Sequence, residues 1–255
     1  MNVEGFCKIV TAEGLHRNAT RLEIYIRSLF DRIQFQGKRV IDIGGGVGLY
    51  SFFAAINGAK EVVCLEPEAD GSHSGMIDKF LQMRTKLGLE ENVVFEPNPI
   101  QAFQDSGRNR FDLAILHNSI NHLDEPACIS LHKDKTSRET YRSLLAMIGS
   151  LLTDEAQVLI CDCSSSNFFA KLGLKNPFAP SIEWHKHQPP ELWASLLEEV
   201  GFHTPLISWN PYPWFYPLAS LTKSRVTSYF VSSHFRMTMS YSRKPESNSP
   251  GMDQD

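Results

Sequence analysis

The feature that most constrains the fold of this chain is a glycine-rich turn between a predicted strand and a predicted helix. The stretch VIDIGGGVGLYSFFAA covers residues 40–55 and places Asp42 two residues ahead of its first glycine. Such a turn joins a strand to a helix in α/β sheets, and it lets a ligand approach the backbone because glycine has no side chain. The turn therefore predicts a ligand site at the carboxyl end of a parallel strand.

The spacing of these glycines disfavours a dinucleotide as the ligand. The fingerprint G-x-G-x-x-G needs a glycine at position 49 or 51, where this chain has Leu49 and Ser51. The pattern is D-x-G-x-G-x-G, in which the carboxylate of Asp42 would repel a phosphate and attract an ammonium. The next predicted strand ends at Glu66, where an acid can accept both hydroxyls of a ribose. A ribonucleoside with an amino-acid tail, such as S-adenosylmethionine, fits both features.

Strands alternate with helices along most of the chain. Strands are predicted at 39–44, 61–67, 92–97, 111–118, 156–163, 203–209 and within 229–242, and helices at 12–34, 48–59, 72–87, 136–152 and 189–202. This order predicts an α/β fold with a doubly wound, mostly parallel, seven-stranded sheet. The last strand follows without an intervening helix, so we expect it to be antiparallel.

The organisation expected around this sheet has three parts. Residues 1–36 form an N-terminal helical lid, 37–245 form the core, and 246–255 form a disordered polar tail. Inserts at about 119–135, 164–188 and 210–228 exceed ordinary connections and are expected to build a cap over the site. The aromatic and proline-rich stretch NPYPWFYP, residues 210–217, is either part of that cap or a dimer face, so a homodimer is one of the expected states.

The motifs resemble those of class I S-adenosylmethionine-dependent methyltransferases. VIDIGGGVG looks like the first motif of that family, VVCLEP like its acidic second-strand motif, and FDLAILHNSINHL like its fourth-strand motif. The resemblance covers 38–123 and, more loosely, 38–202. It implies a Rossmann-like methyltransferase fold and S-adenosylmethionine as the cofactor. The contacts that it implies are Asp42, Gly44, Gly45, Gly46, Gly48, Glu66, Asn98 near the adenine, His117, Asn118 and, from the first helix, Tyr25.

Histidines are the candidate catalytic residues, because a hydroxyl acceptor must lose its proton to a base. His122 follows the fourth predicted strand. His185 and His187 are two residues apart in the stretch IEWHKHQ, residues 182–188. Each could instead have a structural role, and the last two could be metal ligands. No Asp, Glu or His set completes a metal site around them, so no metal is predicted.

The acceptor is expected to be a small molecule methylated at a hydroxyl. The stretch NPFAPSIEWHKHQPPELWASLLEEVGF resembles bacterial methyltransferases found with surface-polysaccharide genes, which implies a sugar, and a secondary metabolite is the other candidate. Alternatives are an N-methyltransferase, a protein methyltransferase, a non-enzymatic partner protein that binds the cofactor, and an NAD-dependent oxidoreductase.

The composition limits the kinds of partner and the location that we expect for this chain. The chain has 255 residues and a net charge of -4, with its basic residues scattered, which disfavours nucleic acid as a partner. Five cysteines without framework spacing indicate reduced thiols and a cytoplasmic location, and Cys161 and Cys163 are interpreted as core packing. No stretch approaches the length of a membrane span, so no membrane partner is expected.

Overall fold

The computed structural model describes residues 1–67, 75–104, 110–209 and 223–243. The strands are β1 (Arg39–Ile43), β2 (Glu61–Leu65), β3 (Val93–Glu96), β4 (Phe111–His117), β5 (Leu152–Cys163), β6 (Phe202–Trp209) and β7 (His234–Tyr241). The helices are α1 (Val3–Ala12), α2 (Ala19–Leu29), α3 (Leu49–Ile56), α4 (Met76–Leu87), α5 (Glu125–Ser130), α6 (Lys135–Ser150), α7 (Phe168–Lys171), α8 (Pro190–Glu199) and α9 (Arg225–Phe230). Two 3₁₀ turns lie at Ile120–His122 and Trp184–Lys186.

The seven strands form one sheet in the order β3-β2-β1-β4-β5-β7-β6. The first five strands in this order are parallel, and β7 is antiparallel to both β5 and β6. This confirms the predicted mostly parallel, doubly wound sheet and its antiparallel last strand. The direction of winding reverses between β1 and β4, and the crevice at such a switch point is where ligands bind in sheets of this kind.

Both faces of the sheet are covered, which explains why its central strands are apolar at nearly every position. Along β1, Val40 faces a core that includes α2 and α3, whereas Ile41 faces a second core that includes α6 and α8. Consecutive residues of a strand point to opposite faces, so each strand contributes to both cores. The carboxyl edge of the sheet is thereby held rigidly between two packed layers.

The N-terminal region departs from the predicted single helix over 12–34. Two helices, α1 and α2, occupy it, because Gly14 adopts φ +74° and the side chain of Asn18 begins α2 by accepting a hydrogen bond from Arg21 N at 2.9 Å. Phe6 of α1 and Ile26 of α2 are fully buried. This region is packed into the core, and its function as a lid remains a prediction.

The last part of the chain also differs from the expectation. Helix α9 precedes β7, so the prediction that no helix separates the last two strands is wrong. Segment 210–222 of the third insert, which includes NPYPWFYP, and the predicted tail at 246–255 lie outside the described residues. Within the described ranges, no helix combines the length and the apolarity needed to cross a bilayer.

The connections and one strand boundary were predicted incompletely. Asp124 begins α5 within the first insert by accepting a hydrogen bond from Ala127 N at 3.0 Å, and α7 lies in the second. Strand β5 begins at Leu152, four residues before the predicted start. The register between β4 and β5 shifts near Phe111, and Glu155 adopts φ +60° there, so pairing continues across an irregularity that alternation cannot reveal.

Candidate functional site

The glycine turn follows β1 and is shaped by close contacts on two sides. A Cβ on Gly44 would lie 2.4 Å from the Cβ of Ser119, and a Cβ on Gly48 would lie 2.5 Å from the ring of Phe80. All three glycines adopt a positive φ, but Gly46 differs because no atom of the described residues lies within 4 Å of the position of its Cβ. Gly44 and Gly48 are therefore required for packing, and Gly46 leaves open space for a ligand.

Asp42 lies beneath this turn and is fully buried. Its Oδ2 accepts a hydrogen bond from Ser51 Oγ at 2.7 Å, whereas its Oδ1 is buried without a partner among the described residues. A Cβ on Gly45 would lie 2.8 Å from Oδ2, so the backbone passes directly over the carboxyl group. Burial raises the pKa of Asp42 to about 6, the bond from Ser51 opposes that shift, and the charge of Glu66 adds to it.

A cavity of about 240 Å³ opens at the carboxyl ends of β1, β2, β3 and β4, and we call it the first cavity. Glu66 lies in its wall, and Glu66 Oε2 accepts a hydrogen bond from the backbone N–H of Gly46 at 2.8 Å. Burial raises the pKa of Glu66, and the bond from Gly46 opposes that shift. Apolar and amide side chains form much of the remaining wall, among them Ile43, Leu65, Ile100 and Gln101.

The predicted adenine contact, Asn98, is not among the residues that line this cavity. Its side-chain amide donates a hydrogen bond to Glu96. The next three residues, Pro99, Ile100 and Gln101, line the cavity instead. The adenine contact of Asn98 stays a prediction.

Two other predicted cofactor residues, Tyr25 and His117, meet each other beside the site. Tyr25 Oη lies 2.7 Å and Tyr50 Oη 3.2 Å from His117 Nε2. Burial lowers the pKa of His117 to about 3, with a smaller contribution from His234, so the imidazole is neutral. These contacts join α2 and α3 to the end of β4, but neither Tyr25 nor His117 lines the first cavity.

A second cavity, of about 370 Å³, lies next to the first and under the second insert. Asn118 and His122 line both cavities. Asn118 adopts φ +53°, and its backbone N–H donates a hydrogen bond to Cys161 O at 2.7 Å, so the chain turns sharply between the two spaces. The other walls come from residues 178–183 and from Asn121, Cys163, Lys186, His187 and His234.

The structure separates the three candidate histidines. His122 is 56% exposed and lies with Nδ1 3.2 Å from Glu125 Oε2. His187 is mostly buried, and its Nδ1 lies 3.1 Å from Oδ1 of the fully buried Asp162. His185 is exposed and is not among the residues that line either cavity.

Sequence reasoning missed Asp162 because it treated the neighbouring cysteines only as core packing. Both cysteines are buried as expected, but Cys163 also lines the second cavity, and its Sγ lies 3.1 Å from His234 Nε2. Asp162, Cys163 and His187 offer ligand atoms within 4.8 Å of one another, a spacing that a divalent cation would need. The position of Asp162 and Cys163 at the carboxyl end of β5 was the available signal.

Comparison with known proteins places the chain. A family model described as a methyltransferase domain matches residues 15–204, and no curated protein matches the chain. One similar structure is an S-adenosylmethionine-dependent methyltransferase from Mesorhizobium loti (TM-score 0.57, 12% identity, 86% of this chain and 97% of that chain). Another is the N-methyltransferase NodS from Bradyrhizobium japonicum WM9 (TM-score 0.53, 10% identity, 88% and 98%).

A third similar structure is the StiE O-MT fragment (TM-score 0.59, 11% identity, 93% of this chain and 82% of that chain). At these identities the structures establish the shared fold, and the family model establishes the membership. The chain belongs to the methyltransferase-domain family and has the Rossmann-like fold of class I S-adenosylmethionine-dependent methyltransferases.

Proposed function

We propose that this protein transfers the methyl group of S-adenosylmethionine to a hydroxyl of a small molecule, with a histidine as the base. The observation that carries the proposal is the pair of adjoining cavities that share Asn118 and His122. Methyl transfer needs a donor and an acceptor in line, so two sites that meet at one wall match its geometric requirement.

The residues around the first cavity fit the proposed cofactor. Glu66 offers a carboxylate at the position where a ribose diol would be held, and Gly46 leaves its Cβ position open beside it. The unpartnered Oδ1 of Asp42 provides negative charge beneath the turn for an amino-acid tail. When bound there, S-adenosylmethionine supplies a methyl carbon made electrophilic by its sulfonium.

The second cavity is the proposed acceptor site. Its volume of about 370 Å³ lies in the range of small-molecule pockets. His122 and His187 both line it, and a neutral imidazole is the side chain best suited to accept a hydroxyl proton near neutral pH. A sugar or a secondary metabolite with a free hydroxyl is the acceptor class that we propose.

Amine methylation is the main alternative, and the similarity to NodS favours testing it directly. An amine loses its proton to solvent before it attacks, so a histidine base would be unnecessary. A protein acceptor would need access to the second cavity through a flexible side chain. Family membership argues against the oxidoreductase and against a merely cofactor-binding protein.

The test is a panel of acceptors incubated with S-adenosylmethionine, with the formation of S-adenosylhomocysteine followed over time. The panel contains monosaccharides, phenols and aliphatic alcohols, together with the matching amino compounds. We expect turnover with hydroxyl acceptors and little with their amino analogues. Turnover with the amines alone would contradict the proposal for oxygen and favour an N-methyltransferase.

A further inference from the structure

We propose that His187 is the base for the acceptor hydroxyl and that Asp162 is the residue that positions it. The inference rests on the proposed function and assigns a role to Asp162. It distinguishes His187 from the other candidate base in the second cavity, His122, by the hydrogen bonds that each ring makes.

The pairing fixes the tautomer of His187. An ionised carboxylate can only accept hydrogen bonds, so the 3.1 Å contact between Asp162 Oδ1 and His187 Nδ1 requires the proton on Nδ1. The lone pair is then on Nε2. Since His187 lines the second cavity and Nδ1 is held by Asp162, Nε2 is the nitrogen left to face an acceptor.

Asp162 is itself held in place. Its Oδ1 also accepts the backbone N–H of Cys163 at 2.7 Å, and the side chain is fully buried at the end of β5. Its Oδ2 is buried and has no partner in the described part of the chain. A buried carboxylate with little else to neutralise it gains most from a neighbouring imidazolium, so it stabilises His187 after proton transfer.

His122 lacks a free lone pair in the same structure. Its Nδ1 lies 3.2 Å from Glu125 Oε2, which requires a proton on that nitrogen, and its Nε2 lies 3.3 Å from the amide Nδ2 of Asn121, which can only donate. Both ring nitrogens therefore have partners. His122 is suited to forming the wall between the cavities, and His187 is suited to accepting a proton.

Among the described groups near His187, Asp162 supplies the charge that acts on its imidazole. Burial raises the pKa of the Cys163 thiol and lowers the pKa of His234 to about 4, so both are neutral near pH 7. Lys186 immediately precedes His187, but its ammonium is bound at 3.0 and 2.8 Å by two carboxylates, those of Glu125 and Glu183.

The reaction balances with these groups. The acceptor oxygen forms a bond to the methyl carbon, the carbon–sulfur bond breaks with its electron pair going to sulfur, and the hydroxyl proton goes to His187 Nε2. The products are the methyl ether and S-adenosylhomocysteine. The imidazolium then returns its proton to solvent.

The first test is kinetic, with the best hydroxyl acceptor from the panel. His187→Asn is expected to lower kcat by about 10²- to 10⁴-fold with KM little changed, and to flatten the acidic limb of the pH–rate profile. Asp162→Asn is expected to lower kcat by about tenfold or more, again with KM little changed. Asp154→Asn, an exposed change on the same strand, is the matched control and should retain the wild-type rate.

Two further readouts separate this inference from the proposed function. All variants should bind S-adenosylhomocysteine as the wild type does, which shows that they are folded. Nitrogen-resolved NMR of the ligand-free protein should find His187 as the Nδ1–H tautomer. That experiment needs no acceptor, so it decides the pairing even if the acceptor panel fails.

The inference is overturned by an Nε2–H tautomer, or by full activity in His187→Asn while the wild type methylates hydroxyls. It is also overturned if the purified protein holds one equivalent of a divalent metal that Asp162→Asn removes, because Asp162, Cys163 and His187 would then be ligands. Turnover of amines alone would count against the proposed function and leave the tautomer result standing.

Discussion

At the residue scale, the site is defined by how single groups are buried and oriented. Glu66 receives its hydrogen bond from the glycine turn, and Asp42 is covered by the same turn, so one loop sets the position of two carboxylates. The positions of these two acids could be predicted from the sequence, because Asp42 lies two residues ahead of the first glycine of the turn and Glu66 ends the next predicted strand. It could not predict the partner of His187, since Asp162 comes from a segment 25 residues away whose approach depends on the folded insert.

Glu66→Gln should weaken the binding of S-adenosylhomocysteine. The carboxylate would lose charge-assisted hydrogen bonds to the ribose, worth about 1.5–3 kcal/mol, or roughly tenfold to a hundredfold in Kd. Isothermal titration calorimetry measures the change. Glu61→Gln is the matched control, because Glu61 begins the same strand and pairs with Arg39 away from the cavity. Equal Kd values for wild type and Glu66→Gln would contradict the assigned role.

Gly46→Ala should lower cofactor affinity while the fold survives. Its Cβ would meet no atom of the described residues within 4 Å, and Gly46 N donates to Glu66 in the wall of the first cavity, so the added methyl group should interfere with the ligand. The positive φ should cost about 1–2 kcal/mol of stability. Gly14→Ala controls for that strain, since Gly14 has φ +74°, also has no described atom within 4 Å of its Cβ position, and lines neither cavity. Urea unfolding should give similar losses for both variants, and only Gly46→Ala should lose affinity, by about tenfold or more.

Asp42 should make the ligand-free protein less stable as pH rises from about 4 to 6. Its folded pKa, about 6, exceeds the ordinary value of 3.8, so the folded state binds the proton more tightly and loses that advantage as the pH passes through this interval. The full effect is about 3 kcal/mol. Asp42→Asn should therefore gain stability relative to the wild type across this window in urea titrations. If the free energies of unfolding of the wild type and Asp42→Asn differed by the same amount at pH 4 and pH 7, burial of Asp42 would have no such cost.

At the element scale, the strands were predicted better than the N-terminal helices. Strands β1 to β4 are short apolar runs with clear ends, and their bounds agree with the predictions within two residues. The sequence predicts one helix over 12–34, whereas α1 ends at Ala12 and α2 begins at Ala19, because the conformation of Gly14 and the cap at Asn18 separate the two helices. The start of β5 depends on pairing across an irregularity, which is a property of two strands together.

Arg236 of β7 should be important for docking of α2 onto the sheet. Its guanidinium is buried and donates to the backbone carbonyls of Leu29 at 2.6 Å and Asp31 at 2.7 Å, at the end of that helix. Arg236→Leu should destabilise the protein by about 3 kcal/mol, because two charge-assisted hydrogen bonds are lost and the carbonyl of Leu29 stays buried.

The control for this element is Arg27→Gln, which removes only an exposed ion pair with Glu23 within α2. Such a pair contributes about 0.5 kcal/mol or less. Urea unfolding of both variants measures the contrast. If both variants lose the same small free energy of unfolding, α2 is loosely attached to the sheet. The lid function predicted for residues 1–36 then gains support.

At the scale of the whole molecule, the strand order brings the two cavities together. The end of β4 lies between β1 and β5, so Asn118 and His122 separate a cavity beside β1 and β2 from one beside β5 and β7. The alternation of strands and helices predicts the sheet. The glycine turn and Glu66 predict a ligand site where the first cavity lies. The second cavity, which we propose as the acceptor site, is lined largely by the second insert, whose path follows from tertiary contacts that periodicity does not encode.

The central claim is that the first cavity binds S-adenosylmethionine. The most direct measurement is a calorimetric titration of the purified protein with S-adenosylhomocysteine, with NAD as the comparison and Glu66→Gln beside the wild type. We predict micromolar binding of S-adenosylhomocysteine to the wild type, weaker binding to Glu66→Gln and no heat with NAD. Binding of NAD alone, or S-adenosylhomocysteine binding that is indifferent to Glu66, would contradict the account of this cavity.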